Sequence, residues 1–199
     1  MTKTIIFDFG GVLLDWNPRY FYRNIFKDSA EMEWFLSNIC TDDWNLEQDR
    51  GRTFEEGISI LKRKYPQHSV KIQFYFSQWE KMLIGEIPGT VHVLKELKKK
   101  YAIHGLTNWS EETFPIAYNR FDFFKLLDGI VVSGTEKMIK PDKEIFRVLL
   151  DRYNLKAEDC IFIDDNKDNI QSASELGFES VHFSNADQLR SVLKLKGVL

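Results

Sequence analysis

The chain has 199 residues, a net charge of −3, 43% hydrophobic residues and 29% charged residues. These values are typical of one soluble globular unit with room for a smaller insert, and they argue against a nucleic-acid-binding protein, which needs a basic face. Two cysteines without motif spacing exclude a disulfide-rich secreted scaffold and favour a reducing, cytoplasmic compartment. We expect no signal peptide, because the first residues lead into a strand without a charged and then apolar leader, and no membrane contact, because no stretch approaches about 18 apolar residues.

The first predicted strand is the apolar run Thr4-Ile5-Ile6-Phe7, which ends at Asp8 and is followed by Gly10 and Gly11. A buried strand that ends at a carboxylate is costly unless the carboxylate has a function, because burial disfavours charge. The two glycines that follow indicate a tight turn after the strand. Asp8 is therefore the first candidate functional residue.

Residues 16–85 show helical periodicity and no strand signal. Apolar stripes at 32–39, 54–61 and 72–83 each predict a helix. We interpret this segment as an all-helical insert whose apolar stripes pack as a bundle. Two glycines and a proline at 85–89 predict a hinge back to the remainder of the chain.

The second half of the chain alternates strand and helix signals, with strands predicted at 102–106, 130–132, 160–163 and 180–183. This alternation predicts an α/β fold with a Rossmann-like parallel sheet and helices on both faces. We assign the core to residues 1–15 and 86–199 and an inserted helical cap to 16–85. Ligands of such sheets bind at the carboxyl ends of the strands, where polar side chains follow several of these apolar runs.

Four short motifs follow one another along the chain: Asp8-x-x-Gly11-Val12, Leu106-Thr107-Asn108, Lys140-Pro141-Asp142 and Asp164-Asp165. Each motif alone is weak, but four in this order form a specific pattern. Together they resemble the four motifs of the haloacid dehalogenase (HAD) superfamily, over essentially the whole chain. The position of the insert resembles the branch in which a helical cap follows the first strand.

The resemblance implies a hydrolase that cleaves small phosphomonoesters with Mg²⁺. Asp8 would be the nucleophile that forms an aspartyl-phosphate. Asp8, the Gly10 backbone carbonyl and Asp165 would hold the metal, since hard oxygen ligands suit magnesium. Lys140 would neutralise the phosphoryl oxygens and the charge of Asp8, and Asp164 would orient that lysine.

The resemblance also implies residues that bind substrate. Thr107 and Asn108 would bind the phosphoryl oxygens or position the substrate, and Gly10 and Gly11 would also belong to the substrate-binding residues. Trp109 would pack over the substrate or fill the seam between cap and core. In the cap, Arg50 would clamp a distal anionic or sugar group; the alternative is a surface ion pair with a neighbouring carboxylate.

Gly10 departs from the phosphatase pattern, which usually has an aspartate there. That aspartate protonates the leaving oxygen, a contribution typically worth 10²–10⁴-fold in rate. We therefore expect a phosphatase of a small phosphorylated metabolite, such as a sugar phosphate, that acts as a monomer or homodimer. Two alternatives stay open: a metal-independent 2-haloacid dehalogenase, and a catalytically weak phosphate-binding or regulatory protein.

Overall fold

The computed structural model describes residues 3–199. Its strands are β1 (Thr4–Phe7), β2 (Leu14–Trp16), β3 (Leu83–Glu86), β4 (Ala102–Thr107), β5 (Gly129–Val132), β6 (Cys160–Asp164) and β7 (Glu179–His182). Five of them form one parallel sheet in the order β5-β4-β1-β6-β7, and β2 pairs with β3 in a separate antiparallel pair. The prediction of an α/β fold with a Rossmann-like parallel sheet is confirmed.

Eleven α-helices connect these strands within the described residues. Those between β2 and β3 are α1 (Arg19–Tyr22), α2 (Ser29–Asn38), α3 (Asp42–Asp49), α4 (Phe54–Lys64) and α5 (Ser69–Ser77). After β3 come α6 (Pro88–Leu97), α7 (Phe114–Arg120), α8 (Ser133–Glu136), α9 (Lys143–Arg152), α10 (Lys167–Glu175) and α11 (Ala186–Leu195). In the part of the chain that the structure describes, none of these helices is long and apolar enough to cross a bilayer.

The central strands are apolar because both of their faces are covered. Every residue of β1 is buried, as is every residue of β6. Side chains alternate between faces, so Ile5 and Phe7 join one hydrophobic cluster while Ile6 joins the other. The cluster that contains Ile5 extends into the buried aromatic side chains of α1–α5, so that this face of the sheet and the cap share a core.

The register of the sheet places the predicted functional residues at one edge. Phe7, the last residue of β1, pairs with Gly105 of β4 and with Ile163 of β6. The next residue, Asp8, donates its backbone N–H to the Ile163 carbonyl at 2.9 Å. Parallel strands end at the same side, so the chain segments after β1, β4 and β6 meet there.

The structure differs from the sequence prediction at the end of the insert. The helix predicted over 72–83 ends at Ser77, and a 3₁₀ turn at Trp79–Met82 leads into β3. The predicted hinge at 85–89 is divided between the end of β3 and the start of α6. β2 (Leu14–Trp16) and β3 (Leu83–Glu86) are short and lack the continuous apolar run that marks β1 and β6, so neither gives a strand signal in the sequence. The five cap helices lie between β2 and β3; the division into two domains stays a prediction.

Candidate active site

Three carboxylates converge at the carboxyl edge of the sheet. Asp8 follows β1, Asp164 ends β6, and Asp165 comes next in the chain. One oxygen from each lies within 4.8 Å of the others. This convergence follows from the register, because β1 and β6 are neighbouring parallel strands.

Lys140 lies among these acids and is buried. Its Nζ is 2.8 Å from Asp8 Oδ1 and 2.6 Å from Asp164 Oδ2, and it donates to the Leu106 carbonyl at 2.9 Å. These contacts use the three N–H donors of the ammonium. Lys140 thus ties together the ends of β1, β4 and β6 and neutralises one of the carboxylate charges.

The electrostatics follow from burial and crowding. Burial raises the pKa of Asp8 to about 7; Lys140 opposes this shift, and Asp164 adds to it. Burial lowers the pKa of Lys140, but the charges of Asp164 and Asp8 raise it by more, so the pKa of Lys140 lies above its ordinary value. The pKa of Asp165 is raised by burial and by the neighbouring Asp164. One ammonium therefore faces three carboxyl groups.

Asp164 is saturated with hydrogen bonds. In addition to Lys140, it accepts from the Asn166 backbone N–H at 2.8 Å and from the Asn169 side-chain amide at 3.0 and 3.1 Å. Asn166 caps α10 and Asn169 lies in its first turn, so the helix start fixes the carboxylate. Fixed in this way, Asp164 has the geometry of a group that orients Lys140.

Asp165 and the Gly11 backbone approach each other closely. A Cβ on Gly11 would lie 2.4 Å from Asp165 Oδ2, and Gly11 has a φ of +72°, which favours glycine. The donor set fits magnesium, because two carboxylates with raised pKa values and a backbone loop supply hard oxygens where negative charge is in excess. Asp8, Asp165 and the Gly10 carbonyl remain the predicted ligands.

The two polar residues at the end of β4 have different surroundings. Thr107 is fully buried, and its Oγ1 has no hydrogen-bond partner among the described residues. Such an orphaned hydroxyl at the sheet edge is available to a bound oxyanion. Asn108 instead holds the loop that carries Lys140: its Nδ2 donates to the Lys140 carbonyl, and its Oδ1 accepts from the Lys140 N–H, both at 2.8 Å.

A cavity of about 450 Å³, including its opening to solvent, lies beside these groups. Its walls come from the core and from the cap: Gly10, Trp16, Asn45, Asp49, Phe54, Trp79, Asn108, Trp109 and Thr113. Trp109 is buried and packs 5.6 Å from the Trp79 ring, so it lines the cavity and also fills the seam between cap and core. The space at Gly10 is open, since a Cβ there would meet no atom within 4 Å.

Arg50 lies away from this cavity. Its guanidinium is 3.1 Å from Asp142 Oδ2 and 4.0 Å from Glu47 Oε1, and both pairs are exposed. The pair with Asp142 links the cap to the core segment just after Lys140. A role for Arg50 in substrate binding stays a prediction; the observed geometry is the surface ion pair that the sequence offered as the alternative.

Sequence reasoning did not single out Asp49 as a site residue. It ends α3, lines the cavity and is partly buried. Its backbone carbonyl accepts a 2.5 Å hydrogen bond from Ser133 Oγ, which in turn accepts from the Trp109 N–H at 2.8 Å. In the sequence Asp49 is one charge in a polar run, so only the folded cap reveals its place.

The chain is similar in sequence to several proteins that are named as enzymes. The chain is 28% identical to the sesquiterpene phosphatase astK of Aspergillus oryzae, over 98% of this chain and 95% of that protein. It is 26% identical to a phosphorylated carbohydrates phosphatase of Thermotoga maritima, over 90% and 84%. It is also 28% identical to the drimenol cyclase drtB of Aspergillus calidoustus, over 97% of this chain but only 36% of that longer protein.

Solved structures share the fold. A HAD family enzyme of Bacteroides thetaiotaomicron, solved as a magnesium complex, is 22% identical and superposes with a TM-score of 0.71 over 93% of this chain and 94% of that one. A dehalogenase solved with an intermediate complex is 20% identical, with a TM-score of 0.70 over 92% and 85%. At these identities the likeness concerns the fold alone. The family model of haloacid dehalogenase-like hydrolases matches residues 5–183, and the chain belongs to this family.

Proposed function

We propose that this protein is a magnesium-dependent phosphatase of small phosphomonoesters that works through an aspartyl-phosphate on Asp8. The observation that carries the proposal is the arrangement of Lys140 between Asp8 and Asp164, with Asp165 beside them. A carboxylate attacks a phosphate dianion only when negative charge is screened. Magnesium, when bound, would supply that screening between the carboxylate and the phosphoryl oxygens.

The residues of this chain divide the remaining tasks. Asp8 provides the attacking oxygen, and Lys140 balances its charge from 2.8 Å. The Thr107 hydroxyl, which has no partner among the described residues, donates to a phosphoryl oxygen. Asn108 holds the lysine loop through its paired 2.8 Å hydrogen bonds. Closure of the cap over this edge excludes bulk water from the reacting atoms.

The cavity favours a substrate with an apolar organic group. Four of its nine lining residues are aromatic (Trp16, Phe54, Trp79 and Trp109), and none carries a positive charge. Such walls suit an apolar surface and offer no partner for a second phosphate. The names of the two phosphatase relatives suggest an isoprenoid monophosphate and sugar phosphates as test substrates, and the aromatic walls favour the first.

The proposal is tested by phosphate release from p-nitrophenyl phosphate, farnesyl phosphate and a panel of sugar phosphates, with and without magnesium. Asp8→Asn serves as the blank. Magnesium-dependent release that is lost in Asp8→Asn supports the proposal. Halide release from 2-chloropropionate without magnesium would instead establish a dehalogenase, and phosphate binding without turnover would establish the weakly catalytic alternative.

The substrate class is tested with two tryptophan variants. Trp79→Ala removes a cavity wall, whereas Trp34→Ala removes an exposed tryptophan of α2 that lies outside the cavity. We expect Trp79→Ala to lower kcat/KM for farnesyl phosphate at least about tenfold, in keeping with the loss of aromatic packing. Trp34→Ala is expected to have no such effect. Better turnover of sugar phosphates than of farnesyl phosphate would contradict this assignment.

A further inference from the structure

With a glycine at position 10, another group must supply the proton that the leaving alcohol needs. If the protein is the phosphatase proposed above, the oxygen of the departing alcohol must gain a proton, and a water must later lose one. Gly10 has no side chain to serve in either step. The space that an aspartate would fill opens into the cavity, because a Cβ at Gly10 would meet no atom within 4 Å. Any substitute must therefore reach the leaving oxygen from another wall of that cavity.

Only one of the nine lining residues carries a carboxyl group or any other side chain that titrates near neutral pH. The walls consist of aromatic rings, Asn45 and Asn108, the hydroxyl of Thr113, Gly10 itself and Asp49. Amides and alcohols do not release a proton under these conditions. Asp49 comes from the cap helix α3, whereas Asp8 follows the first strand of the core.

We propose that Asp49 is the proton donor and acceptor of this enzyme. The cap supplies it in place of the aspartate that phosphatases of this pattern usually have at the position of Gly10. It would be a catalytic residue, acting on the leaving oxygen and then on the attacking water. This inference rests on the proposed phosphatase function and adds the group that protonates its leaving oxygen.

The surroundings of Asp49 suit a carboxyl group that keeps its proton. It is the last residue of α3, where the helix dipole disfavours negative charge. Among the described residues it forms no ion pair, and its nearest side-chain donor is the Asn45 amide at 3.3 Å. Burial raises the pKa of Asp49 to about 7; the Ser110 backbone N–H opposes the shift, and the charge of Asp8 adds to it.

Docking of the cap fixes the position of this carboxyl group. Ser133 joins the Asp49 carbonyl to the Trp109 N–H, at 2.5 and 2.8 Å. Next in the chain, Arg50 pairs with Asp142 of the core, and Gly51 turns the chain with a φ of +100°. Asp49 thus reaches the cavity when the cap is docked on the core, and opening of the cap would withdraw it together with the released alcohol.

The two proton transfers balance as follows. Asp8 Oδ attacks phosphorus, the bond between phosphorus and the leaving oxygen breaks, and that oxygen takes the electron pair of the bond and the proton of Asp49. The products of this step are the alcohol, the aspartyl-phosphate and the Asp49 carboxylate. Asp49 then accepts a proton from water as the water oxygen attacks phosphorus, and the bond to Asp8 breaks, which releases inorganic phosphate and restores the Asp8 carboxylate and the protonated Asp49.

The test compares two substrates that differ in their need for an acid. p-Nitrophenolate leaves without a proton, whereas the alkoxide of benzyl phosphate needs one. We expect Asp49→Asn to lower kcat/KM on benzyl phosphate by about 10²–10⁴-fold and on p-nitrophenyl phosphate by less than about tenfold, because kcat/KM reports only the steps up to the aspartyl-phosphate and not its hydrolysis. Asp43→Asn, the same change at an exposed position of α3, serves as the control with unchanged activity on both.

A second variant guards against a purely structural effect. Gly10→Asp in the Asp49→Asn background places a carboxyl group in the open space, and we expect it to raise kcat/KM on benzyl phosphate at least about tenfold above that of Asp49→Asn. Equal losses of kcat/KM on both substrates in Asp49→Asn, or no loss, would overturn the role of Asp49 as proton donor while leaving the phosphatase intact. Wild-type protein that behaves like Asp8→Asn on both substrates would refute the phosphatase function itself, and this proposal with it.

Discussion

Removal of the Lys140 ammonium should destabilise the protein far more than removal of an exposed one. Lys140→Met keeps the apolar stem but leaves the buried carboxyl groups of Asp8 and Asp164 without their cation. Breaking a buried ion pair from one side costs about 3–5 kcal/mol. Lys143→Met removes an ammonium that lies 2.8 Å from Glu175, where both side chains are more than 40% exposed, and such pairs contribute about 0–1 kcal/mol.

The assay is urea unfolding of both variants and the wild type in metal-free buffer at neutral pH. The midpoints and slopes give the free energy of unfolding. We expect a difference between the two variants of at least about 2 kcal/mol, which follows from the contrast in burial. Losses that agree within about 0.5 kcal/mol would refute the view that Lys140 is a buried charge on which the site depends.

Three further outcomes follow from the structure. Gly11→Ala should destabilise the protein by about 1 kcal/mol or more and weaken magnesium binding, because its Cβ would lie 2.4 Å from Asp165 Oδ2. Gly10→Ala should leave the melting temperature unchanged, since a Cβ there meets no atom within 4 Å. Calorimetry with and without magnesium checks both variants. Ser133→Ala should cost about 1–3 kcal/mol in urea unfolding, since it leaves the Trp109 N–H without its buried partner, and an unchanged midpoint would contradict this. Burial lowers the pKa of His104, so the unfolded chain binds the proton more readily than the folded one. The contribution of His104 to the free energy of unfolding should therefore be complete above about pH 6.5 and decrease as the pH falls. Thermal melts at several pH values should show a smaller decrease for His104→Leu than for the wild type.

The residues at the carboxyl edge of the sheet could be predicted from the sequence, because each of them directly follows a local apolar run. The strands predicted at 102–106 and 160–163 correspond to β4 and β6 within one residue, since buried parallel strands are short apolar runs. Each run is followed directly by the residue that enters the site. Once β1, β4 and β6 are neighbours in a parallel sheet, the proximity of Asp8, Thr107 and Asp164 follows without further information.

The walls of the cavity depend on contacts between distant parts of the chain, which periodicity does not contain. Asp49 is held by Ser133, 84 residues later, and nothing in its own polar run distinguishes it from neighbouring charges. Trp16 and Trp79 line the cavity because β2 pairs with β3, two short strands without the continuous apolar run that marks β1 and β6. The sequence offered Arg50 either a distal group of the substrate or a neighbouring carboxylate, and only the docked cap shows that Asp142 lies within reach.

The most direct test of the proposed mechanism is the covalent state of Asp8 during turnover. Wild-type protein is mixed with magnesium and p-nitrophenyl phosphate, quenched in acid and digested, and the peptide that contains Asp8 is weighed by mass spectrometry. We expect this peptide to gain the mass of one phosphoryl group in the steady state and the Asp8→Asn peptide to gain none. Phosphate release by the wild type with no phosphorylated peptide, together with retained turnover in Asp8→Asn, would contradict it.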